Sequence, residues 1–406
     1  MAVWKKYILR RYITAVLIGC LMCGCRTDGE VSGRQAAESE NAGKTEQLEK
    51  GYDLLPDIEE EREAEADCRN LMERYSHIYE KGCKDALPDG MLPEEVMRAI
   101  QGKAAETGCP VAALTAYSDM KNYERMEEFL EGCMAGKKGA VVVYEVHGDG
   151  GIGRKKFIFD GGEMYVVNAR GGWNDGKPED GAAFHSPGIP EMEFLSYVRI
   201  KEWKYTKKGW FGYELCVPEP PEVSEIVDAA CLIRVKPMEK KLREMSERCL
   251  RGLGYQGNNL LCSDWDAGHM EGLGYNGLFG ALHEMKFGEK PNPGDYPDGV
   301  PAEVFEGLMT EYLPVTAGQV KEYAAFDAER QKYVWEELNC LNYTPTFFAT
   351  SLPEVTGLRE NEDGTVTLTV EAVCDTVLCD DAVLTHELTV EFREDKSFRY
   401  LGNKIL

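Results

Sequence analysis

Three groups of side chains have the types and spacing to do chemistry. The first is His386, which shares the apolar side of an alternating run with Leu384, Leu388, Val390 and Phe392. An imidazole changes charge near neutrality, so lining a pocket it would serve as acid, base or ligand. The same placement also suits a core histidine with one hydrogen-bond partner. The second group is Asn258, Asn259, Asp264, Trp265 and Asp266. Its amide and carboxylate oxygens would suit a hard cation such as Ca²⁺. The spacing is not that of an EF-hand, and Asn and Asp also cap helices and shape turns. No metal is therefore assigned. The third group is Gly148-Asp-Gly150-Gly-Ile-Gly153, a match to G-x-G-x-x-G. A dinucleotide site needs a helix next, with its N-terminus on the pyrophosphate. Arg154-Lys-Lys-Phe-Ile-Phe159 follows instead and reads as a strand, so the glycines make a hairpin turn.

No G-x-S-x-G, H-E-x-x-H or phosphate-loop motif occurs, and His283-Glu284 and His386-Glu387 lack the second histidine that zinc requires. The expectation is a non-enzymatic binding or interaction module with no cofactor. The alternative is a hydrolase or isomerase working in a cone-shaped pocket, which requires His386 to face a cavity with a carboxylate partner. Of 14 cysteines, Cys374 and Cys379 flank a hairpin end and form the candidate disulfide. The absence of C-x-x-C beyond the first 25 residues argues against a zinc ribbon.

The elements that must position these groups follow from periodicity. Helical spacing recurs at Leu71, Tyr75 and Ile78, over 93–107, and at Met126, Phe129, Leu130 and Cys133. Strands are then expected over 140–147, 156–159, 164–169, 194–205, 210–217 and 230–236. The order repeats: stripes at Met238–Cys249, Leu278–Met285 and Phe305–Tyr312, a cap at Thr316, then alternating strands over 365–372, 384–393 and 398–405. Asp363-Gly364 and Asp395-Lys396 mark the turns. The fold class is α+β, with helices packed on curved antiparallel sheets. That order resembles the cone-shaped NTF2-like fold, in two tandem copies over 58–236 and 237–406.

Composition narrows the function classes. The 406 residues are 43% hydrophobic, enough for real cores. With 46 basic and 71 acidic side chains the net charge is −25, so the basic surface that nucleic-acid binding needs is not expected. Lys5, Lys6, Arg10 and Arg11 precede an uncharged apolar run, Tyr12 to Cys25, too short to span a bilayer comfortably. Small residues and cysteine end it, and polar Arg26-Thr-Asp-Gly-Glu30 follows. The pattern resembles a bacterial lipoprotein signal over 1–24. Lipidation falls on Cys25, at the polar boundary, with Cys20 in Leu17-Ile-Gly-Cys20 the alternative. Residues 25–57 read as a flexible lipidated tether. The location that follows is the extracytoplasmic face of the cell membrane, held by N-terminal (palmitate-type) acyl chains in the bilayer. The expected partner is a small ligand or an envelope protein.

Three stretches carry a family resemblance: Gly254-Tyr-Gln-Gly-Asn-Asn-Leu-Leu-Cys-Ser-Asp-Trp-Asp266, Leu273-Gly-Tyr-Asn-Gly-Leu-Phe279, and the segment from Asn361 to Asn403. They resemble an uncharacterised family of lipoproteins from Gram-positive anaerobes, a domain of unknown function. That resemblance implies membership and supplies no activity.

Overall fold

The computed structural model describes residues 49–83, 91–174, 188–218, 229–335, 337, 351–374 and 382–406. The chain is a mixed α+β protein with a strongly curled half-barrel sheet and further, smaller sheets. It divides into two compact units, the first ending at Pro237 and the second running from Met238 to Leu406.

The first unit begins with α1 (Ile58–Gly82) and α2 (Glu94–Ala105), then β1 (Val111–Ala113) and α3 (Glu124–Met134). Six strands follow: β2 (Gly139–Val146), β3 (Ile152–Phe159), β4 (Met164–Asn174), β5 (Ile189–Tyr205), β6 (Trp210–Leu215) and β7 (Ala230–Arg234). Asp57 caps α1 by accepting the Glu60 N–H at 2.8 Å, and Glu59, Glu60 and Glu61 suit the positive end of the helix dipole. Cys68, Leu71, Met72, Tyr75 and Tyr79 recur at helical spacing and give α1 its buried face.

All seven strands form one sheet in chain order. Only β1 departs from the antiparallel expectation: it runs parallel to β2, with Val111 opposite Tyr144. Side-chain contacts show the curl. Phe157 on β3 meets Phe211 on β6 with ring centroids 5.4 Å apart. In a flat sheet those strands would stand about 14 Å apart, three spacings of about 4.8 Å. Inside the curl, Val141, Val143, Phe157, Val166, Phe211 and Tyr213 pack with Met126, Leu130 and Cys133 of α3. On the other face, Cys68, Met72 and Tyr75 of α1 pack on Tyr144, Val146, Ile152 and Ala169.

Residues 49–57, expected as tether, belong to this unit. The Arg199 N–H donates to the Gly51 carbonyl at 2.7 Å, and the Leu54 N–H donates to the Tyr197 carbonyl at 3.1 Å. Leu54 is buried, an apolar anchor in a polar stretch.

The second unit contains α4 (Lys240–Cys249), β8 (Trp265–Asp266), α5 (Tyr275–Phe287), β9 (Val300–Pro301), α6 (Ala302–Tyr312), α7 (Ala317–Tyr323), β10 (Phe326–Asp327) and β11 (Lys332–Tyr333). Four long strands close it: β12 (Leu352–Glu360), β13 (Val366–Val373), β14 (Leu384–Phe392) and β15 (Phe398–Ile405). The main sheet runs β12-β13-β14-β15-β8, and β10-β11-β9 make a small second one. Thr316 caps α7 in a reciprocal box with Gln319. Polar side chains tie the helices to the main sheet. The Ser246 hydroxyl accepts the Val355 N–H at 2.9 Å, Tyr400 donates to the Cys249 carbonyl at 2.6 Å, and Arg399 donates to the Thr310 carbonyl at 2.7 Å.

Candidate functional site

His386 sits on β14, fully buried, opposite Ile405 and Val370. Its neighbours fix the proton. The Asn403 amide nitrogen donates to the Ser263 carbonyl at 2.8 Å, so the Asn403 oxygen is turned toward His386. His386 Nδ1–H donates to that oxygen at 2.5 Å, and Nε2 accepts the Tyr255 hydroxyl at 3.2 Å. Both ring nitrogens are satisfied, by an amide and a phenol. Among the described residues, neither the carboxylate partner nor the open cavity that the hydrolase or isomerase reading requires is at this histidine, which β14, β15 and the Tyr255 hydroxyl enclose.

Burial lowers the His386 pKa from 6.5 to about 4, against the raising effect of the Asn403 hydrogen bond. Between those values the unfolded chain binds a proton that the folded chain refuses. Stability therefore falls as pH drops from 6.5 toward 4. The expected loss from this group is about 3 kcal/mol, at 1.36 kcal/mol per pKa unit. His386→Gln cannot charge, so urea denaturation across that range should show its stability curve flatter by about one proton. Parallel curves would rule the effect out.

The side chains of the polar stretch hold backbone groups. Asn259 accepts the Gly274 N–H at 2.7 Å and donates to the Gly272 carbonyl at 2.9 Å. Asn258 accepts the Leu260 N–H at 3.2 Å, and Asp264 accepts the Ile405 N–H at 2.7 Å. Asp266 accepts the Gly268 N–H at 2.7 Å and meets His269 Nδ1 at 3.0 Å. These bonds hold the Asp266 carboxyl below the usual carboxylate range. Among the described residues, no group of three or more His, Cys, Asp and Glu is placed to hold a metal ion. Cys20, Cys25 and Cys379 lie outside the described residues, whereas Cys374 is buried beyond the end of β13.

The glycine motif is shaped by packing. Gly150 has φ +80°, and a Cβ there would lie 2.4 Å from the Tyr79 ring. Its carbonyl accepts the Tyr75 hydroxyl at 2.9 Å and the Trp173 N–H at 3.0 Å. Gly153 lies within β3, where a Cβ would come 2.8 Å from His147 Nε2.

The first unit also buries charge. Arg154 is fully buried and donates to Asp67 at 2.8 Å and Glu60 at 2.9 Å, with Glu63 3.6 Å away. Burial opposes its charge, but the bonds to Asp67 and Glu60 outweigh burial and raise its pKa above the ordinary guanidinium value. Lys156 joins Glu60 and also reaches Glu63 at 3.0 Å. Inside the curl, Lys155 pairs with Glu145 at 2.8 Å, both buried. His147 lies beside them, lowered to about 4 first by burial and then by Arg170.

One surface of this unit is open. β1 pairs with β2 only over Tyr144–Val146. Even-numbered residues of β2 turn their backbone groups toward that side: the Tyr144 N–H donates to the Pro110 carbonyl at 2.9 Å, and the Val146 carbonyl accepts the Leu114 N–H at 3.0 Å. Ala140 and Val142 share that direction, and among the described residues no strand meets them. The chain ahead of β1 is committed elsewhere. Pro110 has no N–H, the Cys109 N–H donates to the Thr107 hydroxyl, and the Cys109 carbonyl accepts from Asn122. A groove of about 780 Å³ runs along this half-edge, with Phe129 and Val142 among its apolar walls and Arg125, Lys137, Lys138 and Lys156 among its charged ones.

Residues 61–406 match the model of DUF6070, a family of unknown function. The chain belongs to the DUF6070 family. Comparison with curated proteins and with solved structures found no match. No helix among the described residues of this DUF6070 protein is long and apolar enough to cross a membrane. Sequence reasoning singled out the glycine turn at 148–153 in the first unit and missed the groove beside β2. The available signals were Lys137-Lys138 ahead of a valine-rich strand and Pro110 at the entry to β1.

Proposed function

We propose that this DUF6070 protein is a lipid-anchored, extracytoplasmic interaction module that binds a protein of the cell envelope. The observation that carries the reading is the open half-edge of β2 beside a groove. Unpaired strand edges template the addition of another chain, and proteins that do not use them cover them. Anchoring rests on the basic, apolar, cysteine-ended pattern of residues 5–25, with Cys25 as acceptor and Cys20 as the alternative. Acyl chains there would place the groove at the outer face of the membrane. We also read both units as NTF2-like: helices precede strands in each, and α3 seated in the curl of the first sheet supports a cone-shaped body.

Native mass spectrometry of the chain extracted from membranes tests both parts. The expected spectrum shows a chain beginning at Cys25, heavier by its acyl chains, with a non-covalent protein adduct. Cys25→Ser should abolish the acyl mass. An unprocessed, unacylated chain would remove the anchoring reading, and an adduct carrying only small molecules would remove the protein-partner reading.

A further inference from the structure

The open half-edge of β2 has a definite chemistry. Ala140 and Val142 each present one N–H and one C=O to the groove, four backbone groups in all. The run Gly139–Val143, which no strand among the described residues covers on this side, is five residues long, enough for a short extended segment at about 3.4 Å per residue. A strand lying there would continue the line that β1 occupies, where Pro110 and the glycine turn at Gly108 (φ +77°) take the chain's own backbone away.

Charge around the edge selects among such segments. Arg125, Lys137, Lys138 and Lys156 line the groove, against Glu128 and Glu131. Lys156 is engaged with Glu60 and Glu63, and the Lys138 charge acts on Asp160, whereas Lys137 makes no ion pair among the described residues. A locally basic groove on a chain of net charge −25 favours an anionic occupant against the field of the rest of the molecule. Two copies meeting at these edges would bring the lysines of both together, which disfavours self-pairing.

We propose that the groove beside the open half of β2 takes an extended acidic peptide segment, which adds a strand to the sheet where β1 stops. Main-chain bonds to Ala140 and Val142 supply the affinity. Carboxylates beside Lys137, Lys138 and Arg125 supply the selectivity. This deepens the interaction-module reading and rests on it.

The probe is the hexapeptide Ac-Glu-Val-Glu-Val-Glu-Val-NH₂, titrated into the full chain in mild detergent and followed by fluorescence anisotropy of a labelled copy. Its comparators carry lysine for glutamate, or an N-methyl group on every second residue in either of the two settings. Saturable binding of the acidic peptide is expected, at least about tenfold tighter than the lysine peptide, the factor that 1.4 kcal/mol of discrimination produces. One N-methyl setting should weaken it by about tenfold or more, since it removes the donors that face β2. Ala140→Pro should do the same while leaving the fold intact, because proline is tolerated on an edge whose N–H faces solvent. Lys137→Glu with Lys138→Glu should remove the preference for acid. Equal or tighter binding of the lysine peptide would overturn the acidic assignment and leave the edge reading standing. Full binding by both N-methyl peptides would overturn strand addition, and no binding by any peptide would overturn the groove as an interaction site altogether.

Discussion

Arg154→Met should cost the first unit about 3–5 kcal/mol of stability, the range for removing one partner from a buried ion pair. Arg154 is fully buried, while its partners range from Glu60 at 12% side-chain exposure to Glu63 at 48%. Removing the guanidinium therefore leaves Glu60 with Lys156 alone and takes from Asp67 its bond to Nε, beside a hydrophobic core that offers neither a replacement. The loss appears as faster hydrogen exchange at the β3 and α1 amides in a urea series. Arg154→Lys should recover only part of it, because an ammonium cannot reproduce the fork that reaches Asp67 through Nε and Glu60 through Nη1. A loss below about 1 kcal/mol for the methionine variant would show that the cluster contributes no more than a surface pair.

Lys155→Met and the double variant with Glu145→Leu should differ in sign of trend. The single change leaves the Glu145 carboxylate buried with its ammonium gone, again at a cost of about 3–5 kcal/mol at neutral pH. The double change removes both charges and should recover most of that loss, since a well-packed apolar pair often matches a buried ionic one. Thermal unfolding of the three proteins at pH 7 reads both changes. A double variant as unstable as the single one would mean that packing, not charge, holds this part of the curl.

The parts of this structure that were legible in the sequence are those set by local period. Leu368, Val370 and Ala372 alternate with Thr367, Thr369 and Glu371, and β13 lies where that alternation runs. The same period put His386 on the buried face of β14. What period cannot carry is the identity of the partners. Tyr255 and Asn403 reach His386 from 131 and 17 residues away. Strand β8 is two residues long and exists only because Trp265 and Asp266 lie against Asn403 and Gly402, so part of the polar stretch is a sheet edge. The groove was hidden for a related reason. It is defined by where β1 fails to cover β2, and a missing pairing leaves no periodic trace. Buried Arg154 was hidden by its neighbours: Arg154-Lys-Lys156 looks like a solvated basic run, yet alternation sends Lys155 into the curl and Arg154 toward α1.

The attachment of Gly51 and Leu54 to β5 has a mechanical consequence. A pull on the chain ahead of Gly51 would first load the bonds from Arg199 to Gly51 and from Leu54 to Tyr197, two contacts that can open one after the other like a zip. Behind them stand the first three turns of α1, where Glu60 and Asp67 are held to Arg154 in the centre of β3. Tension arriving there meets charge-assisted bonds that must break together rather than in sequence. This attachment thus works as a soft seam backed by a hard stop, and the curled sheet beyond it is shielded from strain entering along the chain.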